Sequence, residues 1–207
     1  RRVHIVTIED PIEFLYPPAQ ATIRQRELGS DTLSFASALK HALRQDPNIL
    51  LVGEMRDLET ISAVLTLAET GHLVFSTLHT NSAAQTIDRI ADVFPPYQQQ
   101  QVRLQLSLVL LGVLSQNLVR AKQGGRVAAR EIMVNTPAVS NLIREGETAQ
   151  IPSVIQTGAE FGMQSMAQSL KELASQGIID PAMALHRARE EEGDRFPSQA
   201  PPDQETS

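Results

Sequence analysis

Ile49-Leu50-Leu51-Val52-Gly53-Glu54-Met55-Arg56-Asp57 sets four consecutive apolar residues ahead of a glycine and an acid. An unbroken apolar run of this length predicts a strand covered on both faces, as in a parallel sheet. Upstream, Val3–Ile8 is a short β-branched stretch ending at the turn Glu9-Asp10-Pro11, and Thr22–Glu27 is a weaker strand candidate. Downstream, Leu73–Thr77 predicts another buried strand. Between the runs, apolar residues recur at helical spacing. Ser34–Arg44 has Phe35, Ala38, Leu39, Ala42 and Leu43. Leu58–Thr70 has Leu58, Ile61, Leu65 and Ala68 on one face, with Gly71 as C-cap. Ser82–Ala91 is helical, with Ser82 as N-cap. This alternation predicts an α/β fold: right-handed βαβ units around a mostly parallel sheet with flanking helices.

After Pro95-Pro96 the texture changes. The spacing predicts one long helix over Tyr97–Gln116, then a β-hairpin of Asn117–Ala121 and Arg126–Val134 around Gly124-Gly125. Three short helices follow, near 137–145, 163–176 and 181–191, the last opened by Asp180-Pro181. The expected division is a core over 1–135, a C-terminal helical appendage over 136–192 and a disordered tail over 193–207. Residues 189–207 hold six acids and two bases, so they carry −4 of the net −6 and leave the body nearly neutral.

Composition narrows the function classes. The 207 residues include no Cys and no Trp, which excludes disulfides and thiolate zinc sites. A near-neutral body with 4% aromatics argues against nucleic acid as a partner. No export signal is evident, and Leu104–Leu114 is too short to span a bilayer, so a cytoplasmic location without a transmembrane segment is expected. A strand beginning at Val3 behind a first residue other than Met suggests a fragment with an upstream part.

In an open parallel sheet, ligands bind beyond the carboxyl ends of the strands. Three such ends carry polar groups: Glu9, Asp10 and Glu13; then Glu54, Arg56 and Asp57; then His79, Thr80 and Asn81. Acids at this edge suit a magnesium–phosphate site, where a carboxylate holds Mg²⁺ through its waters and another orients the attacking water. Each has a plainer reading. Glu9 and Asp10 could cap a turn beside Pro11. Glu54 has the form of a Walker B acid, yet could equally face the N-terminus of the helix that begins at Leu58. His72 and His79 flank a strand, where histidines commonly serve as structural donors. A phosphate loop of the form G-x-x-x-x-G-K-[ST] is absent, since Lys40, Lys122 and Lys171 each follow a residue other than Gly.

Taken together these stretches resemble the secretion and pilus ATPases. Val6-Thr7-Ile8-Glu9-Asp10-Pro11-Ile12-Glu13-Phe14 resembles their Asp box, Ile49–Asp57 their Walker B, and Gly71-His72-Leu73-Val74-Phe75-Ser76-Thr77-Leu78-His79-Thr80-Asn81 their His box. Gly125–Ala129, Glu131–Met133 and Ile155–Gly158 extend the match, which covers roughly residues 3–190 and is nearest to the twitching-motility ATPases that retract type IV pili. The resemblance implies a RecA-like core in a homo-hexamer that hydrolyses ATP with Mg²⁺ and acts on an inner-membrane platform protein and the pilus base, peripheral to the inner membrane. It implies that Glu13 activates water, that Glu54 supports Mg²⁺, and that His72, His79, Glu9, Asp10 and Arg56 lie near the nucleotide. It further implies a PAS-like domain, its arginines and a P-loop ahead of the Asp box. A retraction motif, Ala-Ile-Arg-Asn-Leu-Ile-Arg-Glu, reads here Ala138-Val139-Ser140-Asn141-Leu142-Ile143-Arg144-Glu145. Ser140 stands where the motif has Arg, which removes a charge and five donors. An accessory retraction paralogue, or a non-hydrolysing ring-packing module, is therefore the alternative to a motor. The assembly and type II secretion branches usually carry a four-cysteine zinc element, which a chain without Cys cannot build.

Overall fold

The computed structural model describes residues 2–17 and 19–187. Four parallel strands, β1 (His4–Glu9), β2 (Thr22–Glu27), β3 (Ile49–Val52) and β4 (Leu73–Ser76), form one sheet in the order β2-β1-β3-β4. Register sets Thr7 opposite both Gln25 and Leu51, Ile8 opposite Val52, and Val52 opposite Ser76. Val6, Ile8, Leu50 and Val52 are fully buried on one face. The helices α1 (Phe35–Ala42) and α2 (Leu58–Glu69) pack on β1 and β4 respectively and on each other. Ser34 caps α1 by accepting from the Ser37 amide, and Asp57 caps α2 by accepting from both the amide and the hydroxyl of Thr60, each at 2.8 Å. Gly71, at φ +93°, closes α2 in the left-handed conformation that glycine adopts without penalty. The tail expected over 193–207, and residues 188–191 of the last expected helix, lie outside the described residues.

The connection from β1 to β2 is not a helix. The described residues of the connection, 10–17 and 19–21, are irregular, and Ile12, Phe14 and Tyr16 bond the side chains of Glu27 and Gln25, which share the sheet face of Thr7, away from Val6 and Ile8. Right-handedness requires this, because the step from β1 to β2 goes the opposite way from the steps to β3 and β4. β4 also departs from expectation. It pairs only with β3 among the described residues, and Leu73 and Phe75 stand 36% and 53% exposed. A short apolar run reads as buried on both faces, but on an edge strand one face has no cover here.

A first compact unit comprises Arg1–Gly112 and Asn135–Ile151. It also holds α3 (Ala83–Asp92), capped by Ser82, α4 (Pro96–Val109) and α5 (Pro137–Glu145). The long helix expected to Gln116 ends at Val109. Leu110 is extended, at ψ 131°, and Gly112 opens a strand. Asn135 accounts for the stop: its Nδ2 donates to the carbonyls of Ser107 (3.0 Å) and Leu110 (2.8 Å), satisfying groups that a continued helix would have used.

The second unit comprises Val113–Val134 and the chain from Pro152. The hairpin of β5 (Gly112–Arg120) and β6 (Arg126–Val134) packs on α7 (Met166–Ser175), with Val119, Ala129, Met166, Leu170, Ile179 and Ala184 as its core. The helix α6 (Ile151–Thr157) was not expected from sequence. Residues 181–187 are helical, as expected.

Candidate functional site at the strand ends

The order β2-β1-β3-β4 has one point where successive connections leave in opposite directions, between β1 and β3. Their carboxyl ends therefore diverge into the crevice where open sheets bind ligands. Gly53 makes the crevice narrow. A Cβ there would sit 3.2 Å from the Ile8 carbonyl oxygen and 3.3 Å from the Glu9 Cα, so a side chain would force the two backbones apart. The Gly53 amide donates to that Ile8 carbonyl at 2.7 Å.

Glu54 follows directly. Its side chain is 11% exposed, and one oxygen, Oε2, meets Arg56 Nε at 2.7 Å and His79 Nε2 at 3.4 Å. The acid that caps α2 is Asp57, three residues further on. Two bonds fasten the end of β4 beside this carboxylate. The Met55 amide donates to the Thr77 carbonyl at 3.1 Å, and the Thr77 hydroxyl donates to the Gly53 carbonyl at 2.5 Å. The chain then turns at His79, whose φ of +52° is uncommon for a residue with a side chain and brings the ring back toward Glu54. Arg56 and His79 are 70% and 71% exposed, so both can leave Glu54 for an arriving anion at small cost.

The other expected residues fall in different places. Glu9 is buried at the end of β1, its Oε1 accepting from the Thr7 hydroxyl at 2.5 Å and from Gln25 Nε2 at 3.0 Å. Asp10 and Glu13 are exposed on the β1–β2 crossover, and neither pairs with Glu54 or His79. His72 sits at the opposite, amino end of β4, its Nδ1 within 3.1 Å of the Thr70 hydroxyl and 3.2 Å of the Leu67 carbonyl. The structure thus joins Glu54, Arg56 and His79, sets Glu9 and Asp10 at the adjoining strand end, leaves Glu13 exposed on the crossover beyond it, and leaves His72 apart. Thr77 and Gln25, which tie the site together, lie within stretches whose strand pattern shows no partner, since their roles depend on register across the sheet.

The Ala138–Glu145 stretch is α5, docked on α4. Ile143 is fully buried, and Ala138, Asn141, Arg144 and Glu145 are exposed, with Leu142 half-buried. Arg144 donates to Asn141 Oδ1 and pairs with Glu145, and its carbonyl accepts from Gln100 Nε2 at 3.0 Å. Ser140 donates to the Ser107 carbonyl at 2.8 Å, so it is built into the seam with α4.

A RecA-like parallel sheet with an acid at its switch point defines a class of nucleotide-driven machines, and the chain belongs to the Type II/IV secretion system protein family, matching it over residues 1–185. It is 57% identical to a twitching motility protein of Neisseria gonorrhoeae over 93% of its own length and 52% of that protein's. It is 56% identical to the type IV pilus retraction ATPase PilT of Pseudomonas aeruginosa over 90% of its length and 54% of the relative's. A crystal structure of the pilus retraction motor PilT with bound ADP superposes with a TM-score of 0.82 at 49% identity, covering 90% of this chain and 52% of that one. The chain spans about half the length of the relatives it matches.

Proposed function

We propose that this chain forms the hydrolytic part of a type IV pilus retraction motor, a homo-hexamer that uses ATP to disassemble the pilus and drive twitching motility. The observation that carries the reading is Glu54, nearly buried at the switch point, with Oε2 paired to Arg56 Nε and 3.4 Å from His79 Nε2, both exposed groups able to release it. In this reading Glu13 orients the attacking water from the crossover, and Arg56 and His79 turn from Glu54 to the phosphates. Glu9 and Asp10 shape the rim.

The donor set suits Mg²⁺. No cluster of three or more metal-ligating side chains exists among the described residues. Mg²⁺ asks for less than a full cage, because it keeps several waters and takes one or two carboxylates plus substrate phosphates. Glu54 would hold it through water, and the ion when bound supplies charge neutralisation at the phosphates. The open edge of β4 lies next to the strand carrying Glu54, where a phosphate-binding loop of the whole protein would complete the site. The partners in this reading are the inner-membrane platform protein and the pilus base, with the ring peripheral to the inner membrane from the cytoplasm. No helix among the described residues is long and apolar enough to cross a membrane.

ATP turnover by the full-length protein tests this. Glu13→Ala and Glu54→Ala should each lose at least about a hundredfold in kcat. Near-normal turnover in both would overturn the reading. Ser140 favours a second one, an accessory retraction paralogue, because position 140 is committed to the α4 seam. Restoring twitching to cells that lack their retraction motor separates the two. A motor restores it alone, whereas an accessory protein does so only beside the resident motor.

A further inference from the structure

Gln25 lies half-buried on β2, directly opposite Thr7, on the face that carries the crossover. Its amide is used completely in one direction. Nε2 donates to Glu9 Oε1 at 3.0 Å and to the Phe14 carbonyl at 2.9 Å, and Oε1 accepts from the Tyr16 amide at 3.0 Å. The orientation of the amide follows from chemistry, since a carboxylate and a carbonyl only accept and a backbone N–H only donates. Glu9 is itself fixed by the Thr7 hydroxyl, and Thr7 is 1% exposed. A chain of bonds therefore runs from the buried middle of β1 through Glu9 and Gln25 to the crossover. Two residues along β2, Glu27 Oε2 accepts from the Ile12 amide at 3.0 Å. Ile12, Phe14 and Tyr16 all hang from β2 side chains, and Glu13 lies between the first two tethers.

We infer that Gln25 is a positioning residue for Glu13, setting the crossover so that the Glu13 carboxylate is presented at the crevice. The inference rests on the reading of Glu13 as the group that orients water. It explains why an uncharged residue with two donors occupies a position beside the Glu9 carboxylate. A glutamate at 25 would face Glu9 charge to charge and lose both donors. A methionine would keep the length and lose all three bonds.

Two measurements test it. In the 207-residue chain, amide hydrogen exchange reads the tether directly. Gln25→Met, which removes the acceptor, should speed exchange at the Tyr16 amide by about tenfold or more, the loss of one hydrogen bond, whereas Gln25→Glu keeps an acceptor oxygen there; β3 amides should be unchanged in both. In the full-length protein, the same variants should lower kcat roughly tenfold to a hundredfold with KM for ATP nearly constant, as displacement of a catalytic group by about 1 Å does. Neither should lower kcat further on a Glu13→Gln background. Unchanged exchange at Tyr16 in Gln25→Met, or full turnover in both Gln25 variants beside an inactive Glu13→Gln, overturns the inference alone. Full turnover in Glu13→Gln overturns the reading of Glu13 and takes the inference with it. Gln25→Met guards against misfolding from the charge in Gln25→Glu: agreement between the two in turnover supports the tether, and a turnover defect confined to Gln25→Glu refutes it.

Discussion

His79 offers a test that separates the backbone strain at this position from the role of its ring. Its φ of +52° lies in the left-handed region, where an L side chain costs about 1–2 kcal/mol and glycine costs almost nothing. Glycine has its own penalty, a looser unfolded chain, of about 0.4–1 kcal/mol. The ring contributes little to the fold, because it is 71% exposed and an ion pair at such a site contributes at most about 1 kcal/mol. Comparing His79→Gly with His79→Ala cancels the loss of the ring and leaves the backbone contribution. The glycine variant should be the more stable by about 0.5–1 kcal/mol. Urea unfolding of the 207-residue chain, followed by circular dichroism with both variants side by side, reads this difference. A thermal melt should give a gap of about 1–4 °C. ATP turnover in the full-length protein should fall in both, since each removes the group that meets Glu54 Oε2 at 3.4 Å. An alanine variant as stable as the glycine variant would refute the claim that the His79 backbone is held against its preference. Full turnover in both would refute the claim that it is held there for the site.

Gly158→Ala should destabilise by about 1–3 kcal/mol, since its Cβ would meet Met163 Sδ at 2.7 Å and the Val154 carbonyl oxygen at 2.9 Å; a melting curve beside wild type shows it. Asp57→Ala removes the cap of α2 and should cost about 1 kcal/mol in urea unfolding, with Asp57→Asn recovering most of it. On α5, Ile143→Ala should cost about 2–5 kcal/mol while exposed Ala138→Ser stays within about 0.5 kcal/mol, a contrast that chemical denaturation resolves.

The parallel sheet was legible because Ile49–Val52 and Val3–Ile8 are short and bounded by turn residues, which no helix explains as well. The caps at Ser82 and Gly71 were legible for the same reason, each being a residue type with one strong backbone use. The join at Val109–Gly112 was not. Leu106, Val109, Leu110 and Val113 satisfy helical spacing, and the signal that ends α4 is the Asn135 side chain, far along the sequence. The helix α6 was hidden because a seven-residue element after Gln150 offers barely two turns of periodicity. At the site, Glu54 and His79 could be paired in advance from strand ends alone. Gln25 could not, because its role depends on register, and register appears only when Thr7, Glu9 and Gln25 share a face.

The two acids expected at the crevice stand on different supports, and this sets what each can do. Glu54 stands two residues beyond β3 and is flanked by backbone bonds on both sides, Gly53 to Ile8 and Met55 to Thr77. Moving it means opening the sheet. Glu13 rides on a crossover with no ladder of its own, held by the side chains of Gln25 and Glu27. Segments tied by side chains at an exposed face open at a lower free energy than strands in a buried ladder. That crossover is tied to the sheet face of Thr7, away from Val6 and Ile8. A carboxylate fixed between backbone bonds of the sheet and one carried on a segment tethered by side chains therefore differ in how freely each can move.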